Sequence, residues 1–347
     1  MNEPTLTWEL SSGYELLVSL MVLNDPDYFG QRPAWAAGVR ARLPTAAREA
    51  LASGKGVLKG TLTWAANQPE RADAASLIGA LAELPAELRL AAFCSADRAE
   101  TYAELAAIAR GPQPGQAMRA WAEVNWAGLF APADARALLE QWTDPAGFGE
   151  RYLSALRAYY ELFFADEELR VAPAMAQALE QARALGTQLA RPALLEQLTR
   201  GLDMSTIISR VKHLRLAPSY WATPIMVAIE PAPGELLVLF SARPLGASLA
   251  AGEAVPASLV DALKALADPT RLAIMRELAR KPLLPTQLGL RLRLRPATIS
   301  HHLKLLRLAG LVRIRLEEGT ARHYAARPEG LAATFAALEA FIKGETG

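Results

Sequence analysis

The chain has 347 residues, enough for two or three domains with a sizeable core, and 52% of them are hydrophobic without any run long enough to suggest a membrane span. Cys94 is the only cysteine, which excludes an internal disulfide and fits a reducing, cytoplasmic setting. The net charge of +1 is unevenly spread: residues 257–347 hold 15 Lys+Arg against 8 Asp+Glu, net +7, and the preceding 256 hold 22 against 28, net −6, the pattern of a nucleic-acid-binding module on an acidic body.

Met1-Asn2-Glu3-Pro4 lacks the basic start and apolar stretch of a secretory leader, and none is expected. Thr5 to Leu10 alternates like a short strand. Ser11 to Leu23 reads as a helix capped by Ser11 or Ser12. Asn24-Asp25-Pro26-Asp27 breaks it. Arg32 to Leu43 and Pro44 to Ala52 read as helices, the second ending at Ser53-Gly54-Lys55-Gly56. Glu70 to Arg200 is rich in helix formers, with breaks at Leu84-Pro85, Gly111 to Gly115, Ala131-Pro132 and Asp144-Pro145. Asp166 to Gln188 could be one long helix with Pro173 near its start.

After Gly201 the pattern changes. Thr206 to Val211 is β-branched. Val227 to Glu230 and Leu236 to Ser241 are strand-like and joined by Pro231-Ala232-Pro233-Gly234, a strong turn signal. These segments predict a small antiparallel sheet closing the N-terminal domain, with Thr5–Leu10 as a candidate partner strand. Arg243 to Pro256, with its Pro, Gly, Ala and Ser, reads as a linker.

Beyond the linker, Ser258 to Ala267 is helical. Asp268 to Leu278 forms a second amphipathic helix, with Asp268 as its N-cap and Pro269 in its first turn. A short helix follows at about Pro285 to Leu290, where Thr286 and Gln287 could donate to phosphates. Arg295 to Gly310 is the most informative stretch. Pro296 suits a first helical position and Gly310 the left-handed position just past the end. Ile299, Leu303 and Leu306 fall at i, i+4 and i+7, one apolar stripe. The remaining faces carry Thr298, Ser300, His301, Lys304 and Arg307, all donors, with Arg295 just ahead and no acid among them. That suits a groove lined with acceptors and flanked by phosphates. Leu311 to Leu316 then alternates, with Arg313 and Arg315 on one face. Glu317 to Thr320 reads as a turn and Ala321 to Ala325, containing Arg322, as a return strand.

Three motifs in order, Leu266-Ala-Asp-Pro-Thr-Arg-Leu-Ala-Ile-Met-Arg-Glu-Leu278, Ala297-Thr-Ile-Ser-His-His-Leu-Lys-Leu-Leu-Arg-Leu-Ala-Gly-Leu-Val312, and a Gly-centred wing ending in Arg-His-Tyr, resemble the ArsR family of bacterial transcriptional regulators. The resemblance covers roughly Pro256 to Ile342. It implies a winged helix-turn-helix, and a homodimer built from Ser258–Ala267 and Gly330–Lys343. Such a dimer reads double-stranded DNA as a near-palindrome with half-sites one helical turn apart, usually in repression. Many relatives sense metals through a Cys pair on the first helix of the helix-turn-helix or through Asp/His groups on the last helix. Pro285–Leu290 holds no cysteine and Gly330–Lys343 no histidine, so no metal or cofactor is expected.

His301 and His302, being adjacent, point about 100° apart on a helix, whereas two ligands for one metal sit at i, i+3 or i+4. Base or phosphate contact is the reading for His301, and His302 should face the wing or the backbone. Arg313, Arg315 and Arg322 could be a plain solvated face, but beside a recognition helix they suit phosphate or minor-groove contact. The seven tryptophans all lie outside the DNA module; ordinary core packing accounts for them as readily as a ligand pocket. There is no Gly-rich phosphate loop, Gly-x-Ser-x-Gly elbow or His-Glu-x-x-His, and the body offers one histidine, His213, so no enzyme is expected.

The sequence therefore predicts a mainly α chain. Residues 1–242 form a helical domain closed by a small antiparallel sheet, 243–256 a linker, and 257–347 a winged helix-turn-helix that binds DNA and dimerises. The expected function is a cytoplasmic, sequence-specific regulator, a repressor modulated by a small-molecule or protein effector. The alternative is an enzyme or protein-interaction domain fused to an autoregulatory DNA-binding module.

Overall fold

The computed structural model of the chain describes all residues except 1–2, 69–72, 96–97, 126–131, 200, 223–225, 243–256, 317–321 and 344–347. The expected linker Arg243–Pro256, the wing turn Glu317–Thr320, Trp126 and the break residue Ala131 lie outside the described residues. The fold is mainly helical. The elements used below are β1 (Thr5–Trp8), α1 (Ser12–Asn24), α2 (Ala165–Gly186), α3 (Arg191–Leu198), β2 (Leu202–Asp203), β3 (His213–Ser219), β4 (Val227–Ile229), β5 (Glu235–Ser241), α4 (Ala257–Leu266), α5 (Pro269–Arg280), α6 (Pro285–Leu292), α7 (Pro296–Leu308), β6 (Val312–Leu316), β7 (Arg322–Ala326) and α8 (Pro328–Lys343). Among the described residues no helix is long and apolar enough to cross a membrane.

The chain divides into two compact units that do not follow chain order. The body is Leu6–Leu179 with His213–Ala242; the second unit is Met1–Thr5, Glu180–Lys212 and Arg243–Gly347. The expected domain of residues 1–242 is thus shared between them: Leu202–Asp203, inside it, pairs with the wing rather than with the body's sheet.

In the body, Ser11 caps α1, its side chain accepting from the Tyr14 N–H, and α1 is buried almost all round, as a helix without a polar face should be. The four-stranded sheet has the order β1-β3-β5-β4. The expected hairpin forms as β4 and β5, antiparallel with Ala228 opposite Val238, and the Thr5 strand joins through β3. The sheet is mixed, however, not antiparallel. β3 runs parallel to β5 over seven residue pairs, from His213 opposite Glu235 to Ser219 opposite Ser241. β3 escaped the sequence reading because Arg215 and Pro218 break its apolar run. Arg215 is accommodated by burial in a network: it donates to Glu9 at 2.7 and 3.1 Å, to Tyr14 Oη at 2.9 Å and to the Ala66 carbonyl at 2.7 Å. Glu15, fully buried on α1, accepts from Ser219 Oγ at 2.5 Å and the Trp221 N–H at 2.6 Å. That clamp holds Ser219 at the end of β3 and Trp221 just beyond it. On α2, Val171, Met175, Leu179 and Ala182 form the buried stripe, with Pro173 on the exposed side.

In the second unit, α5, α6 and α7 stand over a core of Ile274, Leu278, Leu288, Ile299, Leu303, Leu306, Leu311 and Val312. Each fully buried Leu or Ile here contributes about 1.5–3 kcal/mol. Asp268 caps α5, its carboxylate accepting from the Arg271 N–H at 2.8 Å, with Pro269 in the first turn. α7 starts at Pro296 and ends in a Schellman closure: Gly310, at φ +70°, donates to Arg307 O, and the Leu311 N–H reaches Leu306 O. β6 and β7 form the hairpin, Ile314 opposite Tyr324. An unexpected partner joins it: β2 runs parallel to β6, Leu202 opposite Ile314 and Asp203 opposite Arg315. Thr206–Val211, β-branched and strand-like in sequence, instead begins as the helical turn Ser205–Ile208, because Asp203 holds the Ser205 N–H and hydroxyl at 3.0 and 2.6 Å.

Candidate nucleic-acid interface

The apolar stripe of α7 fixes what its other faces present. Ile299, Leu303 and Leu306 are fully buried, so the helix cannot rotate without exposing them. Ser300 and His301 are exposed, as are Pro296 and Ala297 in the first turn and Arg295 at the N-cap. Thr298 and Lys304 are half-buried at the margins. The outward surface of α7 therefore carries neutral and cationic donors around a small-residue first turn that lets a polyanion approach closely.

His302 is half-buried, with an Nδ1 that is enclosed and unpartnered. The Asp268 carboxyl is held below the usual carboxylate range, first by the Arg271 N–H and in smaller part by the charges of Arg271 and His302.

α6 presents Thr286 and Gln287 on its exposed first turn. Gln287 Oε1 accepts from the Leu284 N–H at 3.0 Å, so its carbonyl end ties down its own helix start. The turn between α6 and α7 passes through Arg293 at φ 54°, a left-handed conformation that costs a non-glycine residue about 1–2 kcal/mol. Glu277, buried on α5, accepts from Arg280 and from Arg291 of α6, both at 2.9 Å. The sequence reading passed over Arg291 and Arg293, whose roles only become visible once Glu277 and the left-handed turn are placed.

The wing arginines behave differently from one another. Arg322 is exposed at the start of β7. Arg313 donates to Glu196 of α3 at 2.7 Å, and Arg315 to Asp203 of β2 at 2.9 Å. Burial pushes the Asp203 carboxyl up, but bonds from Ser205 and the nearby Arg315 outweigh it and hold the carboxyl below its usual range. Partly exposed pairs of this kind contribute about 0.2–1 kcal/mol each. Glu196 and Asp203 were also missed in the sequence; they lie 117 and 112 positions from their partners, beyond any local pattern.

A helix-turn-helix domain family model matches residues 266–315, from the end of α4 into β6. The C-terminal module is therefore a helix-turn-helix DNA-binding domain of the kind found in transcription regulators, here with a β-hairpin wing. The match covers the module alone. No curated protein matches the chain.

Proposed function

We propose that the chain is a sequence-specific transcriptional regulator of the ArsR type, cytoplasmic, acting as a homodimer and as a repressor, with its body taking up a small-molecule or protein effector. The observation that carries this reading is the exposed donor face of α7, locked outward by Ile299, Leu303 and Leu306. His301 and Ser300 read base edges in the major groove, while Arg295, Thr298, Lys304, Thr286, Gln287 and Arg322 serve phosphates on either side.

The bare flank of α8 supports the dimer. Thr334 is its buried residue, whereas Phe335 is 54% and Ile342 75% exposed. A second copy packed on α8 and α4 covers this apolar surface and places two recognition helices on one palindrome. A sensing rather than catalytic body is supported by its chemistry. Burial pushes the Cys94 thiol up to about 12, far from a reactive thiolate. Glu167 is held by Arg170, and Glu168 by Ser12 and Tyr160.

The test is fluorescence anisotropy of the full chain on DNA from upstream of its own gene, with random DNA as control and a salt titration on each. Binding at least about 10³-fold tighter on the upstream DNA supports a specific regulator. Equal binding to both sinks the specific reading for that DNA, and absence of binding at low salt sinks the DNA reading altogether. Sedimentation of the free protein as a monomer at micromolar concentration overturns the dimer.

A further inference from the structure

The segment from Arg191 to Asp203 meets the wing at Glu196, at Gly201 and along β2. α3 supplies Glu196 to Arg313, and β2 supplies Asp203 to Arg315. Between them Gly201, at φ +94°, passes so close to the wing that a Cβ there would lie 3.1 Å from Arg313 Cβ and 3.1 Å from Arg327 Cδ. The Gly201 N–H closes back on Glu196 O at 2.7 Å, fixing the Glu196 end of the loop. Yet the backbone hold is slight: two residue pairs of β2 against β6.

We propose that residues Arg191–Asp203 are an internal strap whose carboxylates, Glu196 and Asp203, compete with DNA phosphates for the guanidinium groups of Arg313 and Arg315. This rests on the DNA-binding reading above. Carboxylate and phosphate offer a guanidinium the same planar pair of acceptor oxygens, so one excludes the other at each arginine. The acids come from the net-acidic part of the sequence and the arginines from the net-basic part, so the strap lowers the attraction of the free protein for any polyanion and leaves α7 untouched. Binding to any DNA is penalised through the same two arginines, and non-specific binding, which depends almost wholly on phosphate contacts, has no base readout to offset the loss. A site that α7 can read supplies the additional free energy to displace the strap. The strap lies within Glu180–Lys212, the stretch of the second unit whose chain neighbours on both sides, Leu179 and His213, belong to the body.

The experiment uses the full chain with Glu196→Gln and Asp203→Asn together, isosteric changes that remove the two charges. Anisotropy on upstream and random DNA is measured across a salt titration. The expected result is binding about two- to thirtyfold tighter on both, from releasing two exposed ion pairs. The slope of log K against log salt steepens by up to about 2, at about 0.9 per phosphate engaged. Adding Arg313→Gln and Arg315→Gln should cancel the gain. Unchanged or weaker binding with an unchanged slope overturns the competition. Hydrogen exchange over residues 199–206, read without DNA, separates this from failure of the DNA reading. Faster exchange in the double variant is expected whether or not DNA binds, and unchanged exchange overturns the strap itself. If exchange quickens while neither protein binds any duplex, the DNA reading and the competition fall together.

Discussion

The body and the helix-turn-helix module handle charge in opposite ways. The body buries it: Arg215 and Glu9 are almost inaccessible, and Glu15 lies fully enclosed under Ser219 and Trp221. The module builds its centre from Leu, Ile and Val, and keeps nearly every charge on its surface. A buried ionic network is a poor source of net stability but permits only one arrangement of its strands. An apolar core tolerates small adjustments, and leaves the charges free to meet a partner. The contrast teaches where specificity resides: inside, for the body's strand order, and outside, for the module's ligand.

Arg215→Met gives the largest way to test that contrast. Removing one partner strands Glu9 beneath the sheet and should cost the body about 3–5 kcal/mol. All seven tryptophans fall within the body's stretches of sequence, so tryptophan fluorescence should show the loss as an earlier denaturant midpoint. Leu303→Ala makes the complementary cut. It should cost the module about 2–5 kcal/mol through a cavity under α7, abolish DNA binding near the module's new midpoint, and leave the tryptophan transition where it was. A tryptophan transition that moves with Leu303→Ala breaks the idea of two separately stabilised units. His301→Ala sharpens the comparison on the ligand side: circular dichroism melting should be unchanged, while discrimination between upstream and random DNA falls by about 1–3 kcal/mol. Equal losses on both DNAs would assign His301 to phosphate. The smallest effect is Asp268→Ala, read from the module's denaturant midpoint. The Asp268 carboxyl is held low in the fold, so its contribution is present above the unfolded carboxylate pKa of about 3.9 and is lost as pH falls through the depressed folded value. Wild type and variant should therefore differ at neutral pH and converge in acid.

Much of the module was legible because its signals are local. Pro296, the Ile299–Leu303–Leu306 stripe and Gly310 are each read within one helix, and Asp268 sits three residues from the N–H that it accepts. The hairpin of β4 and β5 was legible through its Pro-Ala-Pro-Gly turn. What stayed hidden depends on distant partners. β3 looks unlike a strand until Glu9 and Ala66 neutralise and hold Arg215. Thr206 to Ile208 follow β propensity until Asp203 turns the backbone. Arg313 and Arg315 looked like free phosphate ligands because Glu196 and Asp203 are remote in sequence. The orientation of side chains was thus readable on α7, where burial alone sets it, and unreadable on the wing, where tertiary ion pairs decide.

The pairing of β2 with β6 also bears on how this chain can be cut. A fragment beginning near Pro256 would carry every recognition residue and lose Leu202–Asp203. Its β6 would then present unpaired N–H and C=O groups beside two uncompensated arginines, a template onto which another fragment can add a strand. Such a fragment should associate edge to edge, beyond the dimer proposed for the intact chain, and extending it back to about residue 190 does not help unless the intervening body comes too. The recognition module is contiguous in sequence, but its smallest well-behaved form is not.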